Sequence, residues 1–100
     1  MPGAGVGLLV TMTAKPGKEA DLEAFLESAL PLAQAEEGTS AWYAIKIADR
    51  TFGIFDVFDG AEERQVHLDG RIAAALMEKA DELLADPPDL KSVDVLAAKR

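Results

Sequence analysis

What most constrains this chain is a hydrophobic period that switches between two and about three and a half residues. In "VGLLVTMTA", Val6, Leu8, Val10, Met12 and Ala14 alternate with Gly7, Leu9, Thr11 and Thr13, the period of a strand. Beyond the breakers Pro16 and Gly17, the residues Leu22, Phe25, Leu26, Ala29, Leu30 and Ala33 recur at helical spacing as one apolar stripe. Pro31 falls inside that stripe, so the spacing predicts a kink or a helix broken near Ser28. Gly38 is the expected stop. Two strands, "TSAWYAIKIA" and "TFGIFDVF", follow around the short "ADR" and predict an antiparallel hairpin.

Asp59 reads as an N-cap, with Glu62 completing a capping box. The helix it opens runs through "AEERQVHL" and is interrupted at Asp69–Gly70. It resumes with Ile72, Leu76, Ala80 and Leu83 as an inner stripe, in an Ala-rich stretch suited to close packing. "DPPDL" ends it, and "KSVDVLAA" supplies a last strand in which Val93, Val95 and Ala97 alternate. The order is β-α-β-β-α-β. One antiparallel sheet with helices on one face, an α+β ferredoxin-like fold in a single domain over residues 1–100, accommodates it.

Such a sheet leaves one face wet, yet the hairpin strands are apolar on both. Phe52, Ile54 and Phe58 share a face with Asp56 and oppose Phe55 and Val57, while Trp42 opposes Tyr43 and Ile45. Covering the second face with another copy about a two-fold axis is the simplest remedy. The expected partner is therefore a homodimer mate, with sheets face to face.

Composition excludes several classes of function. The formal net charge is −8 and the basic residues are scattered, so phosphate backbones and anionic membrane surfaces are repelled and no nucleic-acid or membrane partner is expected. No run approaches the ~20 apolar residues that span a bilayer. "MPGAGVGLLV" lacks the basic flank of a secretory signal, and a cytoplasmic location is expected. There are no cysteines, which removes disulfides, thiolate nucleophiles and Cys-ligated metals.

Three stretches, "KPGKEADLEAFL", "EEGTSAWYA" and "FGIFDVFDGAEERQVHLDG", resemble in order and spacing the antibiotic biosynthesis monooxygenase superfamily, particularly its small quinol monooxygenase-like proteins. The similarity spans almost the whole chain. It implies a dimeric α+β barrel with a cleft between the helices and sheet of each subunit. That cleft would take a phenol, quinol or anthrone, which loses a proton and whose carbanion then reduces dioxygen directly. The resemblance implies dioxygen as co-substrate and neither flavin nor metal, and the sequence has no GxGxxG fingerprint or metal-spaced His cluster. A haem-degrading branch uses Asn, Trp and His where this chain carries Val10, His67 and Met77, so none matches.

Six residues are candidates for the site. His67, the only histidine, is the side chain that titrates nearest neutrality. It reads either as a general base or substrate-orienting donor, or as a histidine held by a neighbouring carbonyl or carboxylate. Its place in the last helical turn would raise its proton affinity if it is not deeply buried. Asp56, among apolar neighbours, is a candidate perturbed carboxylate, or else a strand-end group reaching water, Arg64 or Lys46. Trp42 and Tyr43 point to opposite faces; each is either core or interface, or an aromatic wall for a planar substrate. Tyr43 would then donate to a developing phenolate. Phe55 and Arg64 complete the expected substrate contacts. Glu36–Glu37 and Glu62–Glu63 read as solvated faces.

Overall fold

The structure, a computed structural model, describes residues 5–99. Its elements are β1 (Gly5–Thr13), α1 (Glu19–Ser28), α2 (Leu30–Gln34), β2 (Thr39–Ala48), β3 (Thr51–Phe58), α3 (Ala61–Leu68), α4 (Arg71–Leu83) and β4 (Asp89–Val95). The strands form one antiparallel sheet in the order β2-β3-β1-β4. This is the ferredoxin-like α+β arrangement that the alternating periods predict.

Register decides which side chains meet the helices. On β1 and β3, Leu8 lies opposite Asp56, Val10 opposite Ile54 and Met12 opposite Phe52. On β2, Trp42 lies opposite Asp56 and Ala44 opposite Ile54. Val10, Met12, Phe52 and Ile54 pack with Leu22 and Leu26 of α1 and with Leu76 and Leu83 of α4 into the main core. Each such side chain contributes roughly 1.5–3 kcal/mol by leaving water. Trp42 touches this core and also a second cluster of Ala29, Ala33 and Ile72.

The apolar stripe breaks where Pro31 requires. α1 ends at Ser28, the Ala29 N–H bonds the Leu26 carbonyl, and Pro31 falls in the first turn of α2, where no amide donor is missed. The hairpin turns at Asp49–Arg50, and Arg50 Nε and Nη2 donate to the Ala14 carbonyl at 3.2 and 2.9 Å.

Some local expectations are corrected. The N-cap of α3 is Gly60, in extended conformation and without a side-chain cap. Asp59 instead accepts a 2.8 Å hydrogen bond from the Ser40 hydroxyl, so it ties β2 to the end of β3 rather than closing a capping box. Gly38 is not the helix stop, because α2 already ends at Gln34. It permits a close approach: a Cβ there would lie 2.7 Å from Glu63 Cγ. β4 ends at Val95, so Ala97 lies beyond the strand. Met77 is 62% exposed and takes no part in the close packing of α4.

The sheet's other face carries Leu9, Phe55, Tyr43, Ile45 and Val93 at outward register positions. Tyr43 is 57% exposed, and Leu9, Phe55 and Val93 are half-buried. No helix among the described residues is long and apolar enough to cross a membrane.

Candidate functional site

Three segments distant in sequence converge on His67. The short helix α3 ends at Leu68, which puts His67 in its last turn, and the Gly70 N–H closes that end on the His67 carbonyl at 3.0 Å. The ring leans on Phe58, with centroids 5.1 Å apart and planes tilted by 45°. Nε2 points to the sheet and lies 3.1 Å from Asp56 Oδ2. Nδ1 lies 2.6 Å from Oε1 of Glu36, in the connection between α2 and β2. The same Oε1 accepts a 2.7 Å hydrogen bond from the Thr39 hydroxyl.

Both ring nitrogens thus face carboxylates, and a carboxylate only accepts. The arrangement calls for an imidazolium that donates on both sides. Asp56 is 0% exposed, and neither of its oxygens has a well-directed hydrogen bond; the contact to Nε2 is an ion pair off the ideal direction. A neutral His67 would leave that carboxylate as an unpaired buried charge, at a cost of several kcal/mol. Burial pulls the imidazole's proton affinity down. The contacts to Asp56 and then Glu36, together with the charges of the two carboxylates, outweigh it, so the His67 pKa is raised above its ordinary 6.5. The direction is the one a helix C-terminus would give, but here the carboxylates supply it.

His67 and Glu36, but not the buried Asp56, line a cleft of about 380 Å³ together with Glu37, Gly38, Thr39, Asp59, Glu63 and Val66. That volume is in the range of small-molecule sites. Of the triad's two acidic residues only Glu36 lines the cleft; its side chain is 21% exposed. Among the described residues, no group of three or more His, Asp or Glu is disposed to hold a metal ion.

The six candidates do not form one site. His67 and Asp56 meet. Trp42 shares their side of the sheet as the cross-strand neighbour of Asp56, and its buried Nε1 has no acceptor among the described residues. Tyr43 and Phe55 are register partners on the opposite face, so the sheet separates Tyr43 from any phenolate held near His67. Arg64 does not line the cleft; its Nη1 points to the Gly7 carbonyl at 3.4 Å. It does not pair with Asp56, and neither does Lys46, which lies 3.8 Å from Glu23. Asp56 reaches neither water nor Arg64 nor Lys46, because its inward register places it beneath α3 and against His67. Sequence reasoning missed Glu36 and Thr39. The pair "EE" at 36–37 looks like a solvated face, and nothing local reveals that one member turns inward to position 67.

The raised pKa has a consequence for stability. A group whose folded pKa exceeds the unfolded one contributes fully below the unfolded value of about 6.5 and loses that contribution as pH rises through the folded value. Urea unfolding of the wild-type chain is expected to show stability falling as pH rises above about 6.5, a slope that flattens in His67→Gln. A wild-type stability that is level or rises above that pH contradicts the charged triad.

No protein-family model and no curated protein matches the chain. Solved structures do. The NE2512 protein of unknown function from Nitrosomonas europaea superposes with a TM-score of 0.93 at 55% identity, covering 95% of this chain and 92% of that one. Rv0793 from Mycobacterium tuberculosis gives 0.84 at 17% identity, with 97% and 100% covered. A candidate antibiotic biosynthesis monooxygenase from Nitrosomonas europaea gives 0.84 at 13%, with 96% and 94% covered. The last two likenesses speak for the fold alone. The chain belongs to the same family as the NE2512 protein of unknown function and has the antibiotic biosynthesis monooxygenase-like fold.

Proposed function

We propose that this chain is a cofactor-independent monooxygenase that oxidises a small, neutral hydroxylated aromatic (a quinol, phenol or anthrone) with dioxygen. The observation that carries the reading is the buried His67 imidazole held between two carboxylates on the wall of a cleft of small-molecule size. The fold shared with a candidate antibiotic biosynthesis monooxygenase supports it by analogy.

The lining selects the form in which substrate arrives. Glu37, Asp59 and Glu63 stand at the cleft with Glu36, and a preformed phenolate would be repelled by them. The substrate enters neutral and loses its proton inside. The triad receives that proton, and the imidazolium on the wall favours the negative charge that develops. The electron-rich carbanion passes an electron to dioxygen and a C–O bond forms. Cleavage of the O–O bond then leaves one oxygen on the ring carbon, and the other departs as water with the two hydrogens lost by the substrate. A triad that moves protons serves equally an isomerase or decarboxylase that needs no oxygen, and product formed under anaerobic conditions identifies that reading.

A homodimer completes the proposal. The outward positions of the two central strands, among them Leu9, Phe55 and Gly7, carry no charge, and at the β4 edge Lys91 and Asp89 already pair with each other at 2.6 Å. A second copy offers the same uncharged apolar surface, and a two-fold axis lets one patch serve both sides.

Oxygen-electrode measurements with hydroquinone and anthrone are expected to show protein-dependent uptake that falls roughly 100-fold or more in His67→Ala. Saturable binding of the panel without uptake or product makes the chain a non-catalytic binding protein. Sedimentation is expected to give twice the 10.6 kDa chain mass, with Tyr43→Asp shifted toward monomer. A wild-type chain that sediments as a stable monomer at micromolar concentration overturns the dimer.

A further inference from the structure

We infer that Glu36 is the group that takes the substrate's proton, and that His67 and Thr39 are positioning residues that aim its carboxylate. The inference rests on the reading of the cleft as a site for a proton-losing aromatic, and it assigns the base within that site.

The assignment follows from which atoms are open. His67 has no free lone pair to offer, since Nδ1 faces Glu36 at 2.6 Å and Nε2 faces Asp56 at 3.1 Å. Asp56 is out of reach, being wholly buried behind the His67 ring and absent from the cleft lining. Glu36 combines the two requirements. It lines the cleft, and both of its donors, the His67 N–H and the Thr39 O–H, act on Oε1. Oε2 has no donor among the described residues, and it lies beside Gly70, in van der Waals range (3.5 Å) of where a Cβ there would sit. Two hydrogen bonds on one oxygen lock the plane of the carboxylate and leave the other oxygen to accept.

Charge supports the same direction. Two carboxylates share one imidazolium, so the triad carries one net negative charge in a largely buried setting. Adding a proton at Glu36 neutralises it. In the step itself the substrate's O–H or activated C–H bond breaks and its electron pair stays on the substrate. The proton forms an O–H bond with Glu36 Oε2, and His67 keeps both of its protons. Thr39 contributes only through Oε1, so its loss loosens the aim of the carboxylate without removing the acceptor.

The test separates proton removal from oxygenation. Anthrone is incubated with the full chain in deuterated buffer without oxygen, and loss of its methylene proton signal is followed by NMR. The wild-type chain is expected to accelerate exchange. Glu36→Gln should lose about 100-fold of that rate, and Glu36→Asp, which keeps the carboxylate one methylene back, should recover part of it. Thr39→Val should lower the saturating rate about tenfold with little change in the anthrone concentration at half-saturation. Fluorescence of the only tryptophan, Trp42, reports whether each variant is folded. A wild-type chain that does not accelerate exchange, or a folded Glu36→Gln that exchanges as fast as wild type, overturns the assignment. Exchange that depends on Glu36 but is accompanied by no oxygen uptake in air upholds the assignment and sinks the monooxygenase reading. Oxygen uptake that persists in Glu36→Gln does the reverse.

Discussion

One histidine cation between two carboxylates is the interaction on which the site depends. It joins three pieces of chain: the α2–β2 connection through Glu36, the end of α3 through His67, and β3 through Asp56. An isolated buried carboxylate is among the costliest groups a fold can hold. Asp56 is tolerated because the imidazolium lies against it, and the imidazolium is held in place because Glu36 closes its other side. Removing His67 leaves two carboxylates without a counter-charge, and removing either carboxylate leaves one ring nitrogen without its acceptor. The triad therefore behaves as a single unit, and a role assigned to His67 alone misreads it.

The fold supplies the geometry through parity and one short helix. Asp56 faces the helices because it shares a register row with Leu8 and Trp42. His67 reaches it because α3 is only eight residues long and ends one residue later. Gly38 lets the Glu36 segment settle against Glu63 of that helix, where a side chain would collide. Each of these is a local choice, yet together they place an ionisable cluster on the one side of the sheet where a cleft can form beside it.

Much of this is legible in the residues themselves. The two periods give the order of strands and helices, and their parity correctly groups Asp56 with Phe52, Ile54 and Phe58. Pro31 marks the break between α1 and α2. The misreadings share a cause. Asp59 has the sequence context of a cap, but Ser40, nineteen residues away, offers its hydroxyl instead. Glu36 has the context of a solvated face, but His67 lies thirty-one residues on. Partners set by tertiary folding leave no trace in local pattern, and a polar side chain goes to the strongest partner that folding brings near. Tyr43 and Trp42 show the complementary limit: alternation says that they face opposite ways, and only the sheet's packing says which of them meets the helices.

The central claim is the charge state of the triad, and the chain's single histidine makes it directly measurable. Nitrogen-15 NMR of His67 at neutral pH reports the protonation of each ring nitrogen without interference from any other imidazole. Nδ1 and Nε2 are both expected to carry a proton. A neutral ring, with either nitrogen bare at neutral pH, would contradict it.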